Sequence, residues 1–424
     1  MAEVETSVRH LLRRGDFRRL LTTRLSSQFG DGVFQAALAG TVLFNPQRAA
    51  EPVDIAAGFA VLLLPYSLVG PFAGVWLDRW SRRQVLLRAN VVRAGLVAVV
   101  AALVLFGVEG TAFYAAGLTV FSVNRFVLAA LSAGLPHTTD EPSLVPANAL
   151  STTAGGVSTV VGGAAALLVL EGTDSANPGY AAVALVAAVP YLAAAAVVRG
   201  FPRAYLGPDH MADSARMSAR DVVSGMVAGA RHVLELPPAA AALLAIGLHR
   251  LFYGVFTLMT LLLYRNTFED GGTPFPGGIL GLGQVVAAAA TGTLLAAVVT
   301  PPVVRRIGTT RWVPLLLTAG GVAQLALVLA FEPAAVVVVG LLLGFVAQGV
   351  KICVDSTLQE TVEDDYRGRV FSVYDTLFNM TFVAALLIGA FTLPRSGISV
   401  VVPVTVAVGY VLAAVGYSRI TRRH

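Results

Sequence analysis

Residues 70–84 read GPFAGVWLDRWSRRQ. The stretch opens on small and apolar side chains and closes on Asp78, Arg79, Arg82 and Arg83. About twenty mostly apolar residues flank it on either side, the length a helix needs to cross the hydrocarbon of a bilayer. Charges confined to so short a gap mark a turn held in water between two membrane spans.

The rest of the chain agrees. Of its 424 residues 56% are hydrophobic and 13% are charged, and the mean hydropathy is +0.74. A soluble globular domain carries about 25% charged residues. This composition therefore indicates a polytopic membrane protein, and the helix-length apolar stretches below make the expected fold class an all-α membrane protein. The single cysteine, Cys353, excludes an internal disulfide and a cysteine-built metal site. The six histidines show no HExxH spacing and no GxxxxGK[ST] phosphate loop occurs. No paired carboxylates or nucleophile–base set stands out, so neither an enzyme nor a bound cofactor or metal is expected. The N-terminus, MAEVETSVRHLLRRGDFRRLL, lacks a short apolar core before a cleavage site. A short amphipathic helix on the inner membrane surface is expected there instead.

Twelve apolar stretches are long enough to span: 18–44, 54–76, 85–106, 111–135, 148–170, 179–198, 237–264, 275–299, 312–331, 334–356, 370–393 and 397–418. Residues 199–236 are polar and divide six spans from six, with an interfacial helix expected near 218–235. The expected organisation is an N-terminal bundle (1–198), a linker (199–236) and a C-terminal bundle (237–424). With the N-terminus in the cytoplasm, the inner segments and their flanks hold about 22 arginines and the outer loops hold Arg48, Arg265 and Arg395. The positive-inside rule thus places both termini in the cytoplasm. It also accounts for a pI of about 9.5 without nucleic acid.

The halves look like a diverged repeat. Asp31-Gly32-Val33-Phe34 echoes Tyr253-Gly254-Val255-Phe256 at an offset of 222, and EPSLVPANALS (141–151) falls opposite EDDYRGRVFSV (363–373). Repeated six-helix units are a mark of secondary transporters.

An ionisable group at membrane depth is costly and counts as a functional candidate. In the first span Arg24, Gln28, Asp31 and Gln35 fall on one helical face, with Asp31 near the bilayer middle. Arg125, beside Asn124, reaches a similar depth in the fourth span and is the expected partner of Asp31. In the tenth span Gln348, Lys351, Asp355 and Gln359 form another stripe, with Lys351 and Asp355 at i,i+4. Asp375 and Asn379 share a face of the eleventh. Lys351, Asp355, Asp375 and Arg369 read as an inner charge network. His249, Arg250, Tyr253, Thr257, Thr260 and Tyr264 line one side of the seventh span. Gln28, Gln35, Tyr66, Asn124, His249, Arg250, Tyr253, Gln348, Phe378 and Asn379 form the candidate substrate cavity, mostly apolar with a few fixed polar groups.

GVWLDRWSRR (74–83) resembles the signature between helices 2 and 3 of the major facilitator superfamily, Gly-x-x-x-Asp-Arg-x-Gly-Arg-Arg. Gly74, Asp78, Arg79, Arg82 and Arg83 match it, and Ser81 stands where glycine is usual. FRRLLTTRLSSQFGDGVFQAAL (17–38), VPANAL (145–150) and YRGRVFSVYDTLFN (366–379) resemble the macrolide-efflux-like branch of the drug:proton antiporters. The antiporter motif of the fifth helix is kept in part: GGVSTVVGGAA (155–165) has its glycines and no proline.

The resemblance implies the major facilitator fold, twelve transmembrane helices in two pseudo-symmetric six-helix bundles, in a monomer of the bacterial inner membrane. It implies proton coupling by Asp31 and Arg125, and a conformational latch formed by the 74–83 motif, with Asp78 facing the start of the eleventh helix near Arg367–Phe371. The expected activity is proton-coupled export of an amphipathic drug or metabolite by alternating access. The expected partners are the lipid bilayer, protons and a small-molecule substrate. A proton-independent facilitator, a symporter for uptake and a non-transporting sensor or scaffold are the alternatives.

Overall fold

The computed structural model describes residues 8–43, 52–69, 72, 80–140, 143–171, 177–207, 219–268 and 274–422. Regular structure among them is helical: α1 (Val8–Arg13), α2 (Gly15–Leu43), α3 (Pro52–Leu68), α4 (Arg82–Leu105), α5 (Thr111–Gly134), α6 (Leu144–Glu171), α7 (Asn177–Val186), α8 (Ala188–Val198), α9 (Ala219–Glu235), α10 (Pro237–Asn266), α11 (Gly278–Ile307), α12 (Thr309–Leu329), α13 (Pro333–Thr361), α14 (Asp364–Thr392) and α15 (Val401–Thr421).

Nine described spans are long and apolar enough to cross a membrane, with α7 and α8 counting as one. With α2, α3 and α12 they make the twelve of the fold. α2 is less apolar because Arg24, Gln28, Asp31 and Gln35 interrupt it. Local chemistry sets several ends. Prolines open α10 and α13, where the missing N–H would have no helical partner. Gly308, at φ +77, alone joins α11 to α12. Pro190 cannot donate to Val186, and the helix breaks at Ala187 between α7 and α8. Large apolar side chains face outward: Val160 of α6 is 71% exposed and Val298 of α11 is 73% exposed. Such faces suit lipid and not water.

The chain divides into two compact units, Met1–Ala49 with Ala60–Val222, and Ala50–Phe59 with Val223–His424. In the first unit α2 packs on α6 and on α7 and α8, while α4 packs on α5, α7 and α8. In the second, α10 packs on α14 and α15, and α12 packs on α13 and α15. The internal order is the same when α2 is matched to α10, α6 to α14, and α7–α8 to α15.

The repeat extends to single atoms. At Gly32 of α2 an added Cβ would fall on the Thr159 carbonyl oxygen of α6 and lie 2.7 Å from the Gly163 nitrogen. At Gly254 of α10 it would lie 2.6 Å from Ala385 Cβ and 3.1 Å from the Phe382 carbonyl oxygen of α14. Gly163 and Ala385 are 222 positions apart, as are Gly32 and Gly254. The two glycines occupy equivalent seats where helices meet at backbone distance.

Candidate functional site

Gly74, Asp78 and Arg79 lie outside the described residues, as does the side chain of Tyr66. The two described arginines of that motif act within the first unit. Arg82 Nη1 donates to the carbonyls of Ala133 (3.1 Å) and Leu206 (3.2 Å), and Arg83 donates to that of Arg199 (3.0 Å). The carbonyls of Ala133 and Arg199 lie at the ends of α5 and α8, where a cation is favoured, and that of Leu206 lies in the turn that follows α8. Nearby, Arg14 pairs with Asp140 at 3.0 Å. The Tyr205 hydroxyl donates to Asp16 at 2.5 Å, and this bond to a carboxylate pushes the phenol's pKa up. The starts of α2 and α4 are thereby tied to the ends of α5 and α8.

Deeper in the same unit lies a closed ionic cluster. Asp31 is the seventeenth residue of α2, about 24 Å from its start at 1.5 Å per residue. The structure corrects its expected partner. Asp31 forms its ion pair with Arg93 of α4, not with Arg125. Tyr191 of α8 donates its hydroxyl to the same carboxylate at 3.0 Å, and the Arg93 guanidinium lies over the Tyr191 ring at 3.8 Å. Arg93 Nη1 donates to Ser27 Oγ at 3.0 Å, and Ser27 donates to Asn90 Oδ1 at 3.0 Å. Ser27, Asp31, Asn90, Arg93 and Tyr191 are all buried. A Cβ on Gly30 would lie 2.7 Å from Tyr191, so that glycine opens the place the tyrosine fills.

Arg125 is partly exposed on α5, close enough for its charge to act on Arg93. The polar stripe of α2 divides. Arg24 donates to Ser151 (3.2 Å) and Ser132 (3.3 Å), away from Asp31. Gln28 lies against Gly155, its Oε1 without a hydrogen bond among the described residues. Gln35 is half-buried, and Asn124 is buried with Oδ1 unbonded among the described residues.

In the second unit the spacing of α13 gives the expected ion pair: Lys351 Nζ meets Asp355 Oδ2 at 2.6 Å, with the Tyr374 ring 5.7 Å from the ammonium. Asp375 lies near both charges. Asn379 Nδ2 donates to the Asp375 carbonyl at 2.8 Å. Gln348 is half-buried. Arg369 is not a member of this group. It lies over the Tyr366 ring at 5.4 Å and against Gly225 and Gly229 of α9, because it sits in the first turns of α14 beside the linker helix.

His249 is fully buried and shares a hydrogen bond with the Tyr410 hydroxyl through Nδ1 at 3.0 Å. Arg250 lies over Phe378 (3.9 Å) and Phe382 (4.3 Å), with Tyr253 at 5.9 Å, and Nε donates to the Phe378 carbonyl at 3.4 Å. Arg93, Asn90, Ser27, Tyr191, Phe382 and Tyr410 were not among the sequence candidates. Arg93 carried a signal: it is the twelfth residue of α4, about 16 Å into a span, where charge is rare.

Two repeated helical units with ionisable groups at mid-span are the architecture of a membrane transporter. Residues 20–386 match the profile of the Major Facilitator Superfamily, and the chain belongs to that family. Uncharacterized MFS-type transporters of Mycobacterium tuberculosis and Mycobacterium bovis are each 39% identical to it over 399 residues, 93% of this chain and 88% of theirs. Among solved structures, the nucleoside transporter NupG is similar with a TM-score of 0.69 and 14% identity, covering 96% of this chain and 99% of that one. An auto-inhibited POT family peptide transporter is similar with a TM-score of 0.68 and 13% identity, covering 96% of this chain and 97% of that one. At these identities the structures share the fold alone.

Proposed function

We propose that this transporter is a proton-coupled exporter of amphipathic small molecules, of the macrolide-efflux-like branch, working by alternating access. The observation that carries the reading is the buried Asp31–Arg93 pair at mid-span. A carboxylate parted from its guanidinium at that depth is an uncompensated charge, and taking a proton removes it. A conformational change that separates the pair would therefore exchange Arg93 for a proton on Asp31. Tyr191 tracks the same oxygen, and Arg125 is the further charge able to bias where Arg93 rests.

The test is transport by the full chain in proteoliposomes under an imposed pH gradient. Asp31→Asn keeps the shape of the side chain and can still accept the Tyr191 bond. It should abolish uphill, gradient-driven movement of an amphipathic substrate while leaving downhill exchange measurable. Full uphill transport by Asp31→Asn would reject Asp31 as the carrier. Wild-type transport indifferent to the gradient and to a protonophore would leave a facilitator, with the pair as its gate.

The proposed setting is a monomer in the bacterial inner membrane with both termini cytoplasmic. Arginine placement supports it, and so does the clustering of Arg14, Asp16, Arg82, Arg83 and Tyr205 at one end of the first unit. A reporter fused after residue 424 should be active if it is of the kind that folds only in the cytoplasm, and inactive if it needs export. The reverse pattern would invert the topology.

A further inference from the structure

We infer that Arg250 is a receptor for an anionic group, and that the substrate is an amphipathic anion, a carboxylate or phosphate on an apolar or aromatic body. This rests on the reading of the protein as a transporter of amphipathic molecules and names their charge.

Arg250 is the fourteenth of thirty residues in α10, about 20 Å from its start and so near the middle of the span. A guanidinium there needs compensation. Arg93 has Asp31 and Lys351 has Asp355. Arg250 pairs with no carboxylate among the described residues. Its one hydrogen bond there is a long one, from Nε to the Phe378 carbonyl. Asp375, one turn before Phe378, makes no ion pair with it.

Among the described residues the two terminal nitrogens make no hydrogen bond, and they form the planar fork that meets a carboxylate or phosphate with two parallel bonds. The Phe378 and Phe382 rings hold that plane by cation–π contact. The same rings, with Tyr253, offer an apolar wall beside the charge.

The site is reachable. Arg250, Tyr253 and Thr257 are each only partly buried and recur at i, i+3 and i+7, one face of α10. Leu244, 53% exposed, emerges with Leu248 and Leu251 roughly half a turn around the helix, at about 100° per residue. The accessible polar face is therefore distinct from the apolar one that suits lipid. In the repeat, Gln28 holds the position 222 residues earlier, so the second unit alone carries a cation at this place.

The experiment measures binding to the full chain in lipid nanodiscs, without a gradient. The probes are 2-naphthoate, 2-naphthyl phosphate, neutral 2-naphthamide and cationic naphthylmethylammonium. At least one anion should bind about tenfold or more tighter than the amide and the cation, the scale of a charge-assisted hydrogen-bonded contact. Comparing the two anions tells carboxylate from phosphate. Arg250→Gln should erase the preference, and Arg250→Lys should keep its sign and weaken it, since the charge remains and the fork is lost. Melting temperatures check that both variants fold. Equal binding of charged and neutral probes, no binding of either anion, or an anion preference that survives Arg250→Gln would overturn the inference. Proton coupling at Asp31 is read separately by gradient-driven transport, so either reading can fail alone.

Discussion

Arg93→Leu should be the most damaging single side-chain truncation in the first unit. The leucine leaves the Asp31 carboxylate buried, with Tyr191 its only remaining partner among the described residues. It also removes the guanidinium from the Tyr191 ring and a donor from Ser27. Breaking a buried ion pair from one side costs about 3–5 kcal/mol, because the other charge stays uncompensated. Replacing both charges by apolar residues of similar volume is often neutral. Asp31→Leu with Arg93→Met should therefore recover most of the stability that Arg93→Leu loses, measured as reversible unfolding or thermal melting of the full chain in detergent and lipid. A double variant no more stable than the sum of its single changes would mean that the two side chains do not act as a pair. The comparison also separates structure from coupling. A purely structural Asp31 would lower the melting temperature of Asp31→Asn and leave uphill transport intact.

The twelve spans, the repeat and the Lys351–Asp355 pair were legible because each follows from a local rule: span length, offset and the i,i+4 spacing of one helix. The partner of Asp31 was not. Arg93 and Arg125 both lie within reach of mid-span, and depth alone does not choose between them. The choice is made by packing. α4 brings Arg93 beside α2, and Gly30 leaves room for Tyr191 to close the site from α8. The same limit hid Tyr410 from His249 and Phe382 from Arg250, whose partners come from helices distant in sequence. Arg369 read as part of an inner network because it is charged and near Asp375 in sequence. The docking of α9 on the start of α14 gives it a different neighbourhood.

Gly32→Ala should cost the protein far more than a methyl group added at Gly254, Gly95 or Gly156. Its Cβ would overlap the Thr159 carbonyl oxygen and crowd the Gly163 nitrogen, both backbone atoms of α6. No rotamer change can relieve that overlap, so α2 and α6 must move apart along their most extensive contact. Overpacking costs typically 1–3 kcal/mol, and a backbone-on-backbone clash should reach about 3 kcal/mol or more. The separation would also shift α2 and so disturb Asp31 one residue away. Loss of stability should therefore come with loss of gradient-driven transport in whatever protein still folds. Gly254→Ala, at the equivalent seat, meets the Ala385 methyl and the Phe382 carbonyl at longer range and should be the milder of the two. Gly95→Ala and Gly156→Ala are the controls, since nothing lies within 4 Å of either added Cβ. In helix interiors they should be neutral or stabilising by roughly 0.5–1 kcal/mol, the entropy that glycine loses on folding. Equal effects at Gly32 and Gly156 would mean that close approach is not what holds a glycine in Asp31-Gly32-Val33-Phe34 and in its repeat.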